Sequence, residues 1–195
     1  SRYTGRKMKK LRLILIVILI SAVSLFLFKS HFDKKNKEAE VSAIRAVVEK
    51  YIQADLAGAN LGTDNFVESG LEKILVPGEE AAPGWDTVSL VKSYKLKSIE
   101  NKKVKGKDLA IASVAYEIIG EVPGAVEVVR LKETENYVFR LVKEDKTWKL
   151  IQPFDLRPHV TIETTIKHLK TLVGHEGQGK VPEVIQQLEK MKGNV

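Results

Sequence analysis

The chain begins with a basic stretch and then enters an apolar run from Leu13 to Phe28, LILIVILISAVSLFLF, sixteen positions without a charge. Every face of a helix drawn over this run is apolar, whereas a core helix of a soluble domain keeps one polar stripe. A bilayer core of ~30 Å takes ~20 apolar residues, so the run is at the short end of that range. Leu11 lengthens it, and Arg12 and Lys29 have stems long enough to snorkel from its two ends. A membrane-spanning helix over 13–28 is the first expectation.

From Glu38 to Leu56 the period becomes helical. Val41, Ile44, Val48, Tyr51 and Ile52, with Val47 and Leu56, recur at steps of three and four along one face, and Gly58 is placed to stop the helix. Asp55, four residues after Tyr51, falls beside that face. Its ordinary place is the solvated edge of the stripe, and a polar group turned into a cavity is the sharper reading. A second helix is expected over Asn65 to Leu75, opened by Asn65 and Glu68 in capping-box spacing. Pro77-Gly78 and Pro83-Gly84 then bracket a loop.

From Trp85 the period falls to two. Val88, Leu90, Tyr94 and Leu96 alternate with Ser89, Ser93, Lys95 and Lys97, and Lys102 to Lys107 makes a turn around Gly106. Residues 108–122 form an apolar strand, and Pro123-Gly124 turns the chain again. Val126 to Lys132 and Tyr137 to Lys143 read as one long bent strand or as two. Glu144-Asp145-Lys146 turns into a last strand through Trp148, Leu150 and Ile151. Consecutive strands with short turns predict an antiparallel meander. The helical period then returns in Ile162, Thr165, Ile166, Leu169, Leu172 and Val173, closed by Gly174, and a short helix covers Pro182 to Met191. The expected class is α+β: an N-terminal transmembrane helix, then a curved antiparallel sheet packed with helices, then C-terminal helices.

Charge orients this arrangement. Of the net +7 over 195 residues, +6 lies in residues 1–12 and +3 in the flank 29–37, leaving −2 on residues 38–195. Lys and Arg are retained inside, so the N-terminus is expected in the cytoplasm of a bacterial-type inner membrane and the domain in an extracytoplasmic space such as the periplasm. No small-residue cleavage pattern follows the apolar run, so it is read as a retained anchor. The parts are therefore a basic tail 1–12, span 13–28, collar 29–37, domain 38–157 and helical extension 158–195. A domain of charge −2 is a poor nucleic-acid binder. The chain has no cysteine, which excludes disulfides, thiolate catalysis and Cys-based metal sites.

The long amphipathic first helix (AEVSAIRAVVEKYIQADLAG), the short second one and the closing hairpin YVFRLVKEDKTWKLI, with its acidic turn before Trp148-Lys149-Leu150, carry a resemblance. Over Glu38 to Phe154 the chain resembles the nuclear-transport-factor-2-like superfamily, which implies a cone with a pocket between helix and sheet. That superfamily includes isomerases and dehydratases, ligand-binding modules, assembly domains and the single-span scaffold subunit of type IV secretion machines, similar to this chain in layout. A fold of this breadth implies no single activity.

Several candidate chemistries can be weighed from the residues. Residues 174–180, GHEGQGK, match a phosphate-loop spacing, but Val181 stands where Ser or Thr must hold magnesium, and a helix precedes where a strand should. His31, His159, His168 and His175 make no metal pattern and read as surface residues. Isomerases of the resembling fold use a buried carboxylate and polar oxyanion donors. Tyr51, Asp55, Tyr94 and Tyr116, with Glu117 and Tyr137, are the candidates here, although their spacing selects no dyad. No cofactor and no metal are implied. Ser21, Ala22 and Ser24 are small enough to let the span pack closely against partner helices. The expected function is that of a non-catalytic binding or assembly subunit in a multi-subunit membrane complex, with other membrane proteins, the lipid bilayer or a second copy as partners and no nucleic acid. The alternative is a membrane-anchored ligand-binding or isomerase-like protein using the cone pocket.

Overall fold

The computed structural model describes residues 29, 31, 34–76, 86–151, 157–175 and 179–193. The apolar run Leu13–Phe28, with Ser21, Ala22 and Ser24, lies outside them, as do the basic tail and the Pro77-to-Trp85 loop. Among the described residues no helix is long and apolar enough to cross a membrane.

The chain divides into two units, Ser1–Ser42 and Ala43–Val195. In the first, residues 34–42 are helical and mostly exposed, with Lys34 and Glu38 one turn apart at 4.0 Å. In the second, helix α1 occupies residues 43–56. Its apolar face, Ile44, Val48, Tyr51 and Ile52, is fully buried, as the periodicity requires. Gly58, at φ 94, ends the helix in the left-handed region that glycine adopts without strain.

The expected second helix is three pieces. A 3-10 turn over Ala59–Leu61 precedes α2, Thr63–Ser69, and a second 3-10 turn covers Leu71–Ile74. Gly70, at φ 66, breaks what hydrophobic spacing joined. The capping box does not form. Gly62 holds the N-cap without a side-chain bond, and Asn65 instead donates to the Gly58 carbonyl at 3.2 Å.

Five strands make one curled sheet in the order β4-β3-β2-β1-β5. They are β1 (Thr87–Val104), β2 (Lys107–Pro123), β3 (Val129–Glu144), β4 (Thr147–Ile151) and β5 (His159–Val160). The first four form the antiparallel meander, and β3 is a single long strand. The sheet is nevertheless mixed, because β5 runs parallel to β1, pairing Ser89 with His159 and Leu90 with Val160. Both tight turns place two successive residues at positive φ, Lys105-Gly106 and Asp145-Lys146, the handedness that suits a twisted two-residue hairpin.

Two large apolar cores and a small cluster of Leu61, Val88 and Val160 share the sheet among the described residues. Under α1 lie Phe66, Leu71, Ala112, Val114, Phe139, Leu141, Trp148 and Leu150, with Tyr51 edge-on to Phe139 at 5.5 Å. The second core joins Leu90, Val122 and Ala125 to α3 (Ile162–Leu172) and α4 (Val181–Lys192) through Leu169, Val184, Leu188 and Met191. Thr161 caps α3 by accepting the Thr164 N–H at 3.1 Å. Val173, expected on the inner face of that helix, is exposed, because α3 ends at Leu172.

Candidate functional site

Positions 44, 48, 51, 52 and 55 follow one face of α1, so the turn that buries Tyr51 also carries Asp55 inward. Asp55 is 1 % exposed, so it is buried and does not lie at the solvated edge of the stripe. A carboxylate there must find donors. Asn60, on the 3-10 turn after the helix, donates Nδ2–H to Asp55 Oδ1 at 2.7 Å and also reaches the Tyr51 hydroxyl at 3.2 Å. The backbone N–H of His159 donates to Oδ2 at 3.1 Å. Loss of water outweighs both bonds, and the Asp55 pKa is pushed up from 3.8 to about 7.

His159 is 1 % exposed, which corrects its reading as a surface histidine. Its position at the start of β5 projects the ring into the space under α1. His159 Nε2 lies 3.3 Å from Glu135 Oε2, and Nδ1 lies 3.8 Å from Asp55 Oδ2. Burial lowers the His159 pKa and the nearby Glu135 opposes that, so the ring is held towards its neutral form. In the tautomer whose Nε2–H donates to Glu135, Nδ1 turns a lone pair towards Asp55. A protonated Asp55 suits that neighbour better than a carboxylate does. Glu135 is the one member at the surface, its side chain about a quarter exposed.

Aromatic rings enclose the group. Tyr116, on β2, stacks on His159 with centroids 4.5 Å apart, and Tyr137, on β3, meets the ring edge-on at 5.1 Å. The Tyr116 hydroxyl is buried without a hydrogen-bond partner, as is His159 Nδ1. Burial, reinforced by the Asp55 charge, pushes the Tyr116 phenol up and keeps it protonated.

Of the sequence candidates, the fold therefore brings Tyr51, Asp55 and Tyr116 together and adds Asn60, Glu135 and His159. Tyr94 touches Tyr116 ring to ring at 6.3 Å, but its hydroxyl accepts from Gln53 at the exposed edge. Glu117 points outward, where it accepts from Ser93 at 2.9 Å and faces Lys92. His31 and His175 are exposed and His168 is half-buried, its pKa lowered by burial. Glu135 and His159 are in hydrogen-bond contact, whereas His159 Nδ1 and Asp55 stand 3.8 Å apart without a hydrogen bond between them. Among the described residues no group of three or more acidic or histidine side chains is arranged to hold a metal.

A separate cleft of about 820 Å³ runs between the end of α1, α2 and α3. Gly58, Gly62, Asn65, Glu68, Thr164 and His168 are among its lining residues, and Tyr51, Asp55, Tyr94 and Tyr116 are not. Comparison with known proteins gives no match: no family model, no curated protein and no solved structure is significantly similar to the chain.

Proposed function

We propose that residues 43–195 are a non-catalytic binding or assembly module of a membrane protein complex, held at the bilayer by the apolar run Leu13–Phe28. The observation that carries this reading is the filled space beneath α1. Tyr51, Phe139, Leu141, Trp148 and Leu150 occupy the interior where a cone-shaped enzyme would keep its substrate pocket. The polar residues beside them, Asp55 and His159, are sealed from solvent. An interior packed in this way supports a scaffold that presents its outer surface.

The test is gentle detergent extraction from native membranes, followed by size-exclusion chromatography and mass spectrometry. Stoichiometric co-migration with other membrane proteins is expected, or a multiple of 21.8 kDa if the partner is a second copy. Replacing Ser21 and Ala22 by Leu should weaken that association by blocking close helix approach. A lone monomer, or co-migration unchanged in the double variant, would count against the span as the packing surface.

One observation favours a second reading, that of a membrane-anchored ligand-binding or isomerase-like protein. Asp55 is held near neutrality beside His159 and a Tyr116 hydroxyl free to donate, the equipment of proton transfer. A small molecule retained by the monomer in native mass spectrometry, and lost in Asp55→Asn, would move the assignment to this reading.

A further inference from the structure

The β1–β2 hairpin extends past the packed part of the sheet. Every residue from Glu100 to Lys107 is exposed. Lys102, Lys103, Lys105 and Lys107 crowd its tip, and Asp108 stands across from Lys103. Register brings the β3–β4 turn alongside: Leu109 pairs with Val142, three residues before the turn at Asp145-Lys146. Lys143, Lys146 and Lys149 thereby join the same end of the sheet. Seven lysines gather there against Glu100, Asp108, Glu144 and Asp145, whereas residues 38–195 as a whole carry −2. Glu144 is engaged by Lys149 at 3.9 Å, and Lys143 lies over the Trp148 ring at 5.7 Å.

The direction of α1 gives this end a further meaning. Asp55, near its C-terminus, sits beside His159 and so at the level of Glu135 and Tyr116. Tyr51, one turn earlier, packs on Phe139. Phe139 is four residues nearer than Glu135 to the β3–β4 turn, so α1 runs away from the basic end. The chain therefore enters the Ala43–Val195 unit on the side where the lysines project. Only residues 29–42 separate Ala43 from the apolar run, a reach of roughly 50 Å even if fully extended.

From this juxtaposition we infer that the lysine-rich hairpin end of the sheet docks on anionic lipid head groups, setting the domain against the bilayer that holds its anchor. The inference rests on the reading of Leu13–Phe28 as a membrane span. Exposed ammonium groups on long stems suit a phosphate plane, since each adds to the attraction without needing a shaped pocket. The attraction fades beyond a Debye length of roughly 10 Å at 0.1 M salt, so it acts only on a surface the tether keeps close.

The chain lacks cysteine, so single labels are clean. Full-length protein carrying Lys105→Cys, or Glu127→Cys as a control at the opposite end of β2, is labelled with an environment-sensitive fluorophore. It is reconstituted into vesicles of phosphatidylcholine alone or mixed with phosphatidylglycerol, and flotation first establishes insertion. The expected result is severalfold greater quenching of the tip label by a lipid-borne quencher on the anionic vesicles. That difference should be lost at high salt and in the Lys102→Glu, Lys103→Glu, Lys107→Glu background, with the control label unaffected throughout. Equal quenching on both vesicles, or a difference that survives charge reversal, would overturn the docking while leaving the anchor intact. Failure to float with either vesicle would overturn the anchor and the docking with it.

Discussion

Asp55 makes stability depend on pH in a direction opposite to that of most carboxylates. In the folded chain its pKa is about 7, whereas the unfolded chain loses that proton near 3.8. Between these values the native state holds a proton that the unfolded state has released, so stability falls as pH rises through the window. About three units, at ~1.4 kcal/mol each, give a loss of about 4 kcal/mol from pH 4 to pH 7.5. His159 acts in the opposite sense. Its folded pKa lies below 6.5, so its contribution is lost as pH falls from that value. The two are separated by comparing wild type with Asp55→Asn, which keeps His159 and the shape of the site. An asparagine offers one acceptor oxygen where the carboxylate offered two, so either Asn60 or the His159 N–H loses its partner, at a roughly pH-independent ~1–3 kcal/mol. Urea unfolding in a mild non-ionic detergent, followed by tryptophan fluorescence, reports on this because Trp148 is buried. The wild-type advantage over the variant should shrink by about 4 kcal/mol between pH 4 and pH 7.5. An advantage that stays constant, or grows with pH, would refute a carboxyl raised by burial and would place Asp55 in contact with water.

Two backbone positions give independent predictions from the same unfolding assay. A Cβ on Gly120 would lie 2.6 Å from the Val129 carbonyl oxygen, against backbone that cannot swing aside, so Gly120→Ala should cost about 1–3 kcal/mol. An unchanged urea midpoint would mean that β2 and β3 part freely at that bulge. Lys146 sits at φ 68, where a side chain is strained, so Lys146→Gly should raise stability by about 0.5–1 kcal/mol after the entropy of glycine is counted. A loss instead would show that the lysine side chain contributes more than its backbone costs.

The features legible in the sequence are those with a period. The inner face of α1 and the alternation along β1 follow directly from it, β2 follows from its apolar run, and the turns at Gly106 and Lys146 follow from composition. The uncertainty over β3 also has a physical source. Its middle, Glu133-Thr134-Glu135-Asn136, is polar and breaks the alternation, and the strand continues there because β2 offers an unbroken row of partners from Ile118 to Ala115. The β5 strand was illegible because two residues have no period; it forms because Ser89 donates its N–H to the Pro158 carbonyl at 2.9 Å. The site was half legible. Asp55 on an apolar stripe signals that a buried acceptor needs donors, but Asn60 looks like a loop residue and His159 lies 104 positions away. Nothing local to either histidine neighbour, Pro158 or Val160, announces that the ring turns inward.

The bonds around Asp55 also explain how the two cores act as one. A helix leaves its last carbonyls without internal partners, and those of α1 end in the protein interior. The Leu56 carbonyl accepts from the Thr164 hydroxyl at 2.8 Å and from the Thr161 N–H at 3.4 Å, while Asp55 accepts from the His159 N–H. All three donors lie between β5 and the first turn of α3. The C-terminal segment thus closes the end of α1 at the same place where the buried carboxyl sits, and Thr164 serves both as a neighbour of the α3 cap and as a donor to α1. Ionising Asp55 therefore charges a joint between the core under α1 and the core built by α3 and α4.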